Sequence, residues 1–269
     1  MFLKNQKEWE NIQSGEHPVL FFSRDESYPI SSLVKIKEQK APYIIVADLG
    51  QIYVHGVTVY VLSGIVTAKN ATVIALGGNI EMSGNTTVYV LDPVVNLRGT
   101  GIVYAHPNIS HDRCTAKDSR YGLTIINSPS DWEEVKQGEE EVIICHGSNK
   151  TIEIDVQKAP HIIQISGRTS VKENIKIFAV GGEVQCRGGT VFGYDFPAGE
   201  REEWDPPLSV ELEKGYVCQF GGELKVRNGC FKAPYLEKLV FTPDADKIKG
   251  EAEIVDVLKD FRKKGGVLC

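Results

Sequence analysis

The side chains with the most chemical potential lie between the strand-like runs of this chain, not within them. His106, His111 and Cys114 fall in one short polar segment, HPNISHDRC, and offer imidazole and thiol donors of the kind that hold borderline metal ions. Their spacing matches no zinc pattern, and the six cysteines include no C-x-x-C pair, so no metal or other cofactor is expected. A second group, Glu200, Arg201, Glu202, Glu203, Trp204 and Asp205, is acidic with an aromatic ring in its midst. Such a segment suits binding, because charge and an indole recognise a complementary surface without any activated group. The other carboxylates are spread over turns, and no pair of them is brought together for acid–base work. Neither a phosphate-cradling loop nor the His-x-His signature of a cupin-like double barrel is present. No catalytic residue can be named, and the balance leans away from an enzyme.

The frame that must position these groups is written between Gln51 and Ser110. β-Branched and aliphatic residues recur every seven positions, at Ile45, Ile52, Val59, Val66, Val73 and Ile80, and resume after one extra residue at Val88, Val95, Ile102 and Ile109. A second column follows two residues behind, from Ala47 and Val54 to Leu97 and Tyr104. Each unit thus reads as a short strand with both ends facing inward, followed by a turn of Gly, Asn, Asp or Pro. That is the pattern of a β-solenoid, a chain coiled so that each strand pairs with its copy in the next coil. Successive units alternate in kind. The middle residues Val46, Tyr60, Ile74, Tyr89 and Val103 are apolar, whereas Tyr53, Thr67, Glu81 and Asn96 are mostly polar. A coil of fourteen residues with two short strands fits this alternation better than a triangular coil of three units.

The same grammar occurs twice. Glu8-Trp9-Glu10 is echoed by Asp131-Trp132-Glu133, Val19–Phe22 by Val142–Cys145, and Gln39-Lys40-Ala41-Pro42 by Gln157-Lys158-Ala159-Pro160. From there Ile177, Val184 and Val191 fall over Val59, Val66 and Val73, and Phe178 and Phe192 continue the apolar row of middle residues. The fold class is therefore all-β with short capping helices: two tandem β-solenoid modules. Residues 1–110 form the first, 111–127 a linker, and 128–237 the second, interrupted by an insertion at 194–207. Residues 238–269 add a strand, Lys238–Phe241, and a helix, Glu251–Lys264. Each module opens on a Trp-bearing helix, the first over 5–14, that would plug the raw end of its solenoid. Gln219 is the misfit: it falls at an inward position and must be hydrogen-bonded there, or the coil is irregular.

Tyr60, Ile74, Tyr89, Phe178 and Phe192 form an apolar strip that a water-soluble protein has to cover. The two modules facing each other, a homodimer or another protein would each do so. The formal net charge of −6 makes nucleic acid an unlikely partner. No apolar run is long enough to span a membrane, and no signal peptide is evident, so a cytoplasmic protein is expected.

The seven-residue strand–turn units over residues 39–110 and 157–233, with the leading Trp helix, resemble the uncharacterised repetitive β-solenoid proteins of bacteria and their phages. This chain departs from the simplest of those repeats in its larger outward residues and its insertion. The resemblance implies a scaffold or binding surface and no active site. The expected function is non-catalytic binding of another protein, for instance as a phage-type inhibitor that covers a host complex. Two alternatives remain: a small-molecule or carbohydrate binder or enzyme with its site between the modules, and a self-assembling structural element.

Overall fold

The computed structural model describes residues 2–3, 5–15, 18–21, 33–47, 51–92, 94–105, 118–121, 123–147, 149–195, 207–233 and 238–241. The chain divides into two units, Met1–Leu123 and Thr124–Cys269. Each is a stack of parallel strands coiled as a β-solenoid, with about 11 turns counted over the two.

In the first unit the chain shuttles between two parallel sheets. One holds eight strands, in the order Phe2–Leu3, Val19–Phe21, Ile44–Val46, Thr58–Val61, Thr72–Ala75, Thr87–Val90, Ile102–Ala105 and Asp118–Tyr121. The other holds five, Val34–Ile36, Gln51–His55, Ile65–Lys69, Asn79–Ser83 and Asn96–Gly99. Val59 pairs with Val73 and Ile52 with Val66, fourteen residues on, so each coil has two strands as the alternation requires. Between the sheets lies one dry core that includes Ile52, Val54, Val59, Val61, Val66, Ala68, Val73 and Ala75.

At three places the register differs from the heptad count. Ile44 and Val46, not Ile45 and Ala47, join the core, and Val103 and Ala105 replace Ile102 and Tyr104. Val103 therefore leaves the outward row and Tyr104 enters it, stacked on Tyr89 at 5.1 Å between ring centroids. Both runs are apolar at four successive positions, so alternation cannot choose a face and pairing with the neighbouring coil decides. On the five-stranded sheet Glu81 pairs with Arg98 and not with Asn96, because the Leu91–Val95 turn is longer than its neighbours.

The second unit is one continuous parallel sheet of eleven strands. Its continuity comes from Gly182–Tyr194 and Leu208–Phe220, thirteen residues each, which run along one side, round a corner and along the other. The bend falls at Arg187–Gly189, where the register shifts. Gly188 sits there at φ +127°, a conformation L side chains rarely adopt. The register otherwise follows the heptads: Ile177, Val184, Val191, Val210, Val217, Leu224 and Phe231 all lie in the core. Lys238–Phe241 pairs with Glu223–Val226 and extends this stack. The segment read as a linker contributes a strand to each unit, Asp118–Tyr121 to the first and Thr124–Ile126 to the second. The expected helix over 251–264 lies outside the described residues.

Each stack opens on the same closure. Helix α1 (Gln6–Asn11) starts at Asn5, whose Oδ1 accepts from the Glu8 N–H at 3.0 Å while its Nδ2 donates to Glu8 Oε1. Helix α2 (Pro129–Glu134) starts at Ser128, whose Oγ accepts from Asp131 N–H at 3.2 Å, with Pro129 preset for the first turn. Trp9 and Trp132 are buried in the cores of their units, and Ile12 and Val135 pack on the same cores from matching positions. The helices are shorter than the expected span because the chain must turn extended at Ile12 and Val135 to place those side chains.

The repeated Gln-Lys-Ala-Pro locks the plug. Lys40 Nζ lies 5.6 Å from the Trp9 ring centroid and donates to the Trp9 and Glu10 carbonyls, ending α1. Lys158 Nζ stands 4.8 Å over the Trp132 ring and donates to the Trp132 carbonyl. The Lys40 and Lys158 carbonyls accept in turn from Gly15 and Gly138. Gln39 brackets the corner behind, donating to Ala41 O and accepting from Thr58 N–H at 2.8 Å; Gln157 does the same with Ala159 O and Lys176 N–H.

Candidate functional site

The five predicted interface residues point away from the cores, yet all are closed to solvent. Tyr60, Ile74 and Phe178 have no exposure, Phe192 is 3% exposed and Tyr89 9%. Leu20, Ile45, Ile144 and Ile163 stand in the same rows and are equally buried. Tyr43, which the duplication pairs with His161, belongs to the strip as well, with its ring 5.2 Å from that of Tyr60. Burial pushes the Tyr43 hydroxyl above its ordinary range. Burial lowers His161 to about 4 even with Glu141 Oε1 3.8 Å from its Nε2, because desolvation outweighs that attraction.

His106, His111 and Cys114 lie outside the described residues, and so do Glu200, Arg201, Glu202, Glu203, Trp204 and Asp205. The footing of the insertion is described, and it is buried and hydrogen-bonded. The first strand reaches further than the sequence suggests, with Tyr194 in register opposite Phe220, so the insertion proper begins after Asp195. Asp195 is buried, and its Oδ2 accepts from the Leu208 N–H at 3.1 Å, tying the outgoing chain to the returning one. Beneath it, Gln219 Nε2 donates to Gly221 O at 2.8 Å and Glu223 O at 3.2 Å, so the misfit glutamine is hydrogen-bonded. Gly222, at φ +69°, completes the footing: a Cβ there would stand 2.5 Å from Leu208 O and 2.7 Å from Asp195 Oδ2. Gln164 forms a matching corner, donating to Gly167 O and Glu183 O. Coil register survives across the insertion, with Val184 opposite Val210 and Val191 opposite Val217. Asp195 escaped sequence analysis because its partner is a backbone N–H thirteen residues away; the turn-favouring Asp straight after a strand was the available signal.

The exposed faces of the two units differ. On the five-stranded sheet the central row runs Lys35, Tyr53, Thr67, Glu81 and Arg98, flanked by Gln51, Ile65, Asn79 and Asn96. The second unit carries Glu153, Ser170, Gln185, Glu211 and Lys225 in the corresponding row, with Ser170 itself buried. Around it six carboxylates meet six basic side chains. Glu153 takes Lys172 at 3.4 Å and Arg187 at 3.8 Å, Arg187 also reaches Glu213, and Arg227 lies 2.6 Å from Glu211. Arg168–Glu183, Lys225–Glu223 and Lys214–Glu173 complete the set. Lys214 holds the Glu173 carboxyl below its usual range. A face so neutralised offers little net charge to a partner.

The thiols offer no nucleophile in the interior. Cys145 and Cys186 are buried, and burial raises them to about 12 and about 11. Among the described residues no three His, Cys, Asp or Glu side chains gather to hold a metal, and no helix is long and apolar enough to cross a membrane. Comparison with protein-family models, with curated proteins and with solved structures finds no match for the chain.

Proposed function

We propose that the chain is a non-catalytic interaction protein that uses its second unit to present an acidic, Trp-bearing insertion to a protein partner. The observation that supports this reading is the footing of the insertion. Asp195 and Leu208 are joined in a buried base while the coils on both sides keep their register. A frame that accepts a long polar segment at one corner without losing a strand pair is built to carry that segment. The composition of Glu200–Asp205 selects a basic protein surface with an apolar pocket for Trp204. The buried thiols and the self-neutralised face of the second unit favour binding over chemistry.

The test is affinity capture from the source cell with two baits: the full chain, and the full chain with Glu200–Asp205 replaced by Gly and Ser. A partner held by the first bait and lost from the second, with circular dichroism and unfolding unchanged between them, supports the reading. Equal capture by both baits sinks it. A turnover assay that finds the full chain active on a substrate would sink the non-catalytic part independently.

A further inference from the structure

Asn228 is followed by Gly229, the one Asn-Gly pair among eleven asparagines in the sequence. The pair forms the exposed corner between strands Glu223–Val226 and Cys230–Lys232. Arg227 and Asn228 anchor the corner, both donating their N–H groups to the Leu212 carbonyl, at 2.9 and 3.3 Å. The Gly229 N–H turns to its own neighbour and donates to Asn228 Oδ1 at 2.8 Å. The side-chain amide is therefore folded back over the peptide nitrogen that follows it, and Gly229 carries no Cβ to obstruct an approach. Other corner asparagines are arranged differently. After Asn174, at φ +65°, the Ile175 N–H donates to Lys172 O; after Asn70, at φ +49°, the Ala71 N–H reaches Thr86 Oγ1. In both, the N–H is held by a group other than the side chain of the preceding asparagine.

We infer that Asn228 is a site of spontaneous covalent modification, in which its side chain cyclises onto Gly229 and opens to aspartate and isoaspartate. Asparagine is among the thermolabile residues, and an exposed corner supplies the water the reaction consumes. The Gly229 nitrogen gives up its proton and attacks Asn228 Cγ. As the N–Cγ bond forms, the Cγ–Nδ2 bond breaks and the nitrogen leaves as ammonia with that proton. Water then adds to one carbonyl of the five-membered imide and the bond from that carbon to the Gly229 nitrogen breaks, the nitrogen regaining its proton. Breakage at Cγ restores an α-linked aspartate, and breakage at the main-chain carbonyl leaves the chain routed through Cβ. No oxidant or reductant takes part.

The place makes the change consequential. A main chain routed through Cβ is longer by one atom, and this corner has no slack: a Cβ on Gly229 would stand 3.0 Å from Gly215 O and 3.1 Å from Leu212 Cδ1. The strand that follows pairs Cys230, Phe231 and Lys232 with Tyr216, Val217 and Cys218, so lengthening the corner strains that ladder. Either product also adds a negative charge beside the Arg227–Glu211 pair.

The experiment holds the purified full chain at mildly alkaline pH and follows it by peptide mapping with mass spectrometry, together with enzymatic methyl-labelling of isoaspartate. The peptide containing Asn228 is expected to gain the mass of an amide turned acid before any other asparagine peptide. Its aspartate and isoaspartate forms should separate on the map, with ammonia released in proportion. The Asn228→Gln chain, run in parallel, should lose that early signal and keep the rest. Conversion of Asn228 at or below the rate of the other ten asparagines in the folded chain overturns the inference.

Discussion

Lys40 over Trp9 and Lys158 over Trp132 are one joint built twice, with Gln39 and Gln157 bracketing the same corner behind it. The exposed rows diverge: where the first unit sets Tyr53 and Thr67, the second sets Gln185 and Glu211 amid a lattice of ion pairs. The shared part solves a problem that any solenoid has, an open core and raw strand edges at its end. The divergent part faces water, where register tolerates many residues, so it is there that one copy was free to acquire an insertion. One detail separates even the joints. Gln6 accepts from the Lys35 N–H at 2.6 Å and donates to the Lys35 carbonyl, closing the edge strand of the first unit. The equivalent position in α2 is Pro129, whose side chain has no hydrogen-bonding group.

If the joint is truly common, its loss should be equally severe in both units. Trp9→Ala and Trp132→Ala each empty a core end, and each is expected to cost about 3–5 kcal/mol. Urea unfolding of the two variants checks this. A large loss in one and a small loss in the other would mean that only one Trp is a plug.

Removing the bracket should cost less. Gln39→Leu and Gln157→Leu keep the volume but leave the Thr58 or Lys176 N–H and two carbonyls without the amide, at about 0.5–1.5 kcal/mol each because water reaches these groups. Gln6→Ala tests the one-sided feature. It should cost about 1 kcal/mol in the first unit and raise the tendency of the chain to associate through its freed edge, read by light scattering.

The coil length, the duplication and the plugging tryptophans were legible in sequence because each recurs at a fixed spacing, and repetition is visible without coordinates. Which of Ile44 or Ile45 faces the core was not, since four apolar residues in a row satisfy either face and only the paired strand decides. The role of Gln39 was hidden for another reason. Gln-Lys-Ala-Pro stood out as a repeated landmark, but what its amide touches is the Thr58 N–H of the next coil, nineteen residues away. The footing of the insertion was illegible in the same way, as were most ion pairs on the exposed face of the second unit, which, Lys225–Glu223 excepted, join residues fifteen or more positions apart.

A third contrast is between Tyr43 and His161, equivalent positions of which only the second carries a group whose ordinary pKa lies near neutrality. His161 is neutral when folded, lowered from 6.5 to about 4 by burial. The unfolded chain takes up a proton below about 6.5 that the folded chain refuses. Stability should therefore fall as pH drops from about 6.5 to about 4 and stop falling from this source below that. His161→Phe should remove that slope, seen as the difference between the two chains in urea midpoints across the same pH series. Equal slopes would mean that His161 is protonated in the folded chain.

The smallest effect is expected on the exposed face of the second unit. Glu153 sits between Lys172 and Arg187, and Arg187 passes the link on to Glu213, so a single charge removal touches three partners. These groups are about half exposed, and water and salt screen each pair to about 0–1 kcal/mol. Glu153→Gln should thus lower stability by no more than about 1 kcal/mol at low ionic strength, and the difference from wild type should vanish as salt is added. The contrasting substitution is Glu81→Gln on the five-stranded sheet. Glu81 lies opposite Thr67 and Arg98, in a row whose remaining charge is Lys35 and which, among the described residues, lacks the linked ion pairs of the second unit. Its removal should leave stability, and its salt dependence, nearly unchanged. A salt-dependent loss of equal size at both positions would show that the two exteriors are held alike, and that the divergence of the faces has no energetic counterpart.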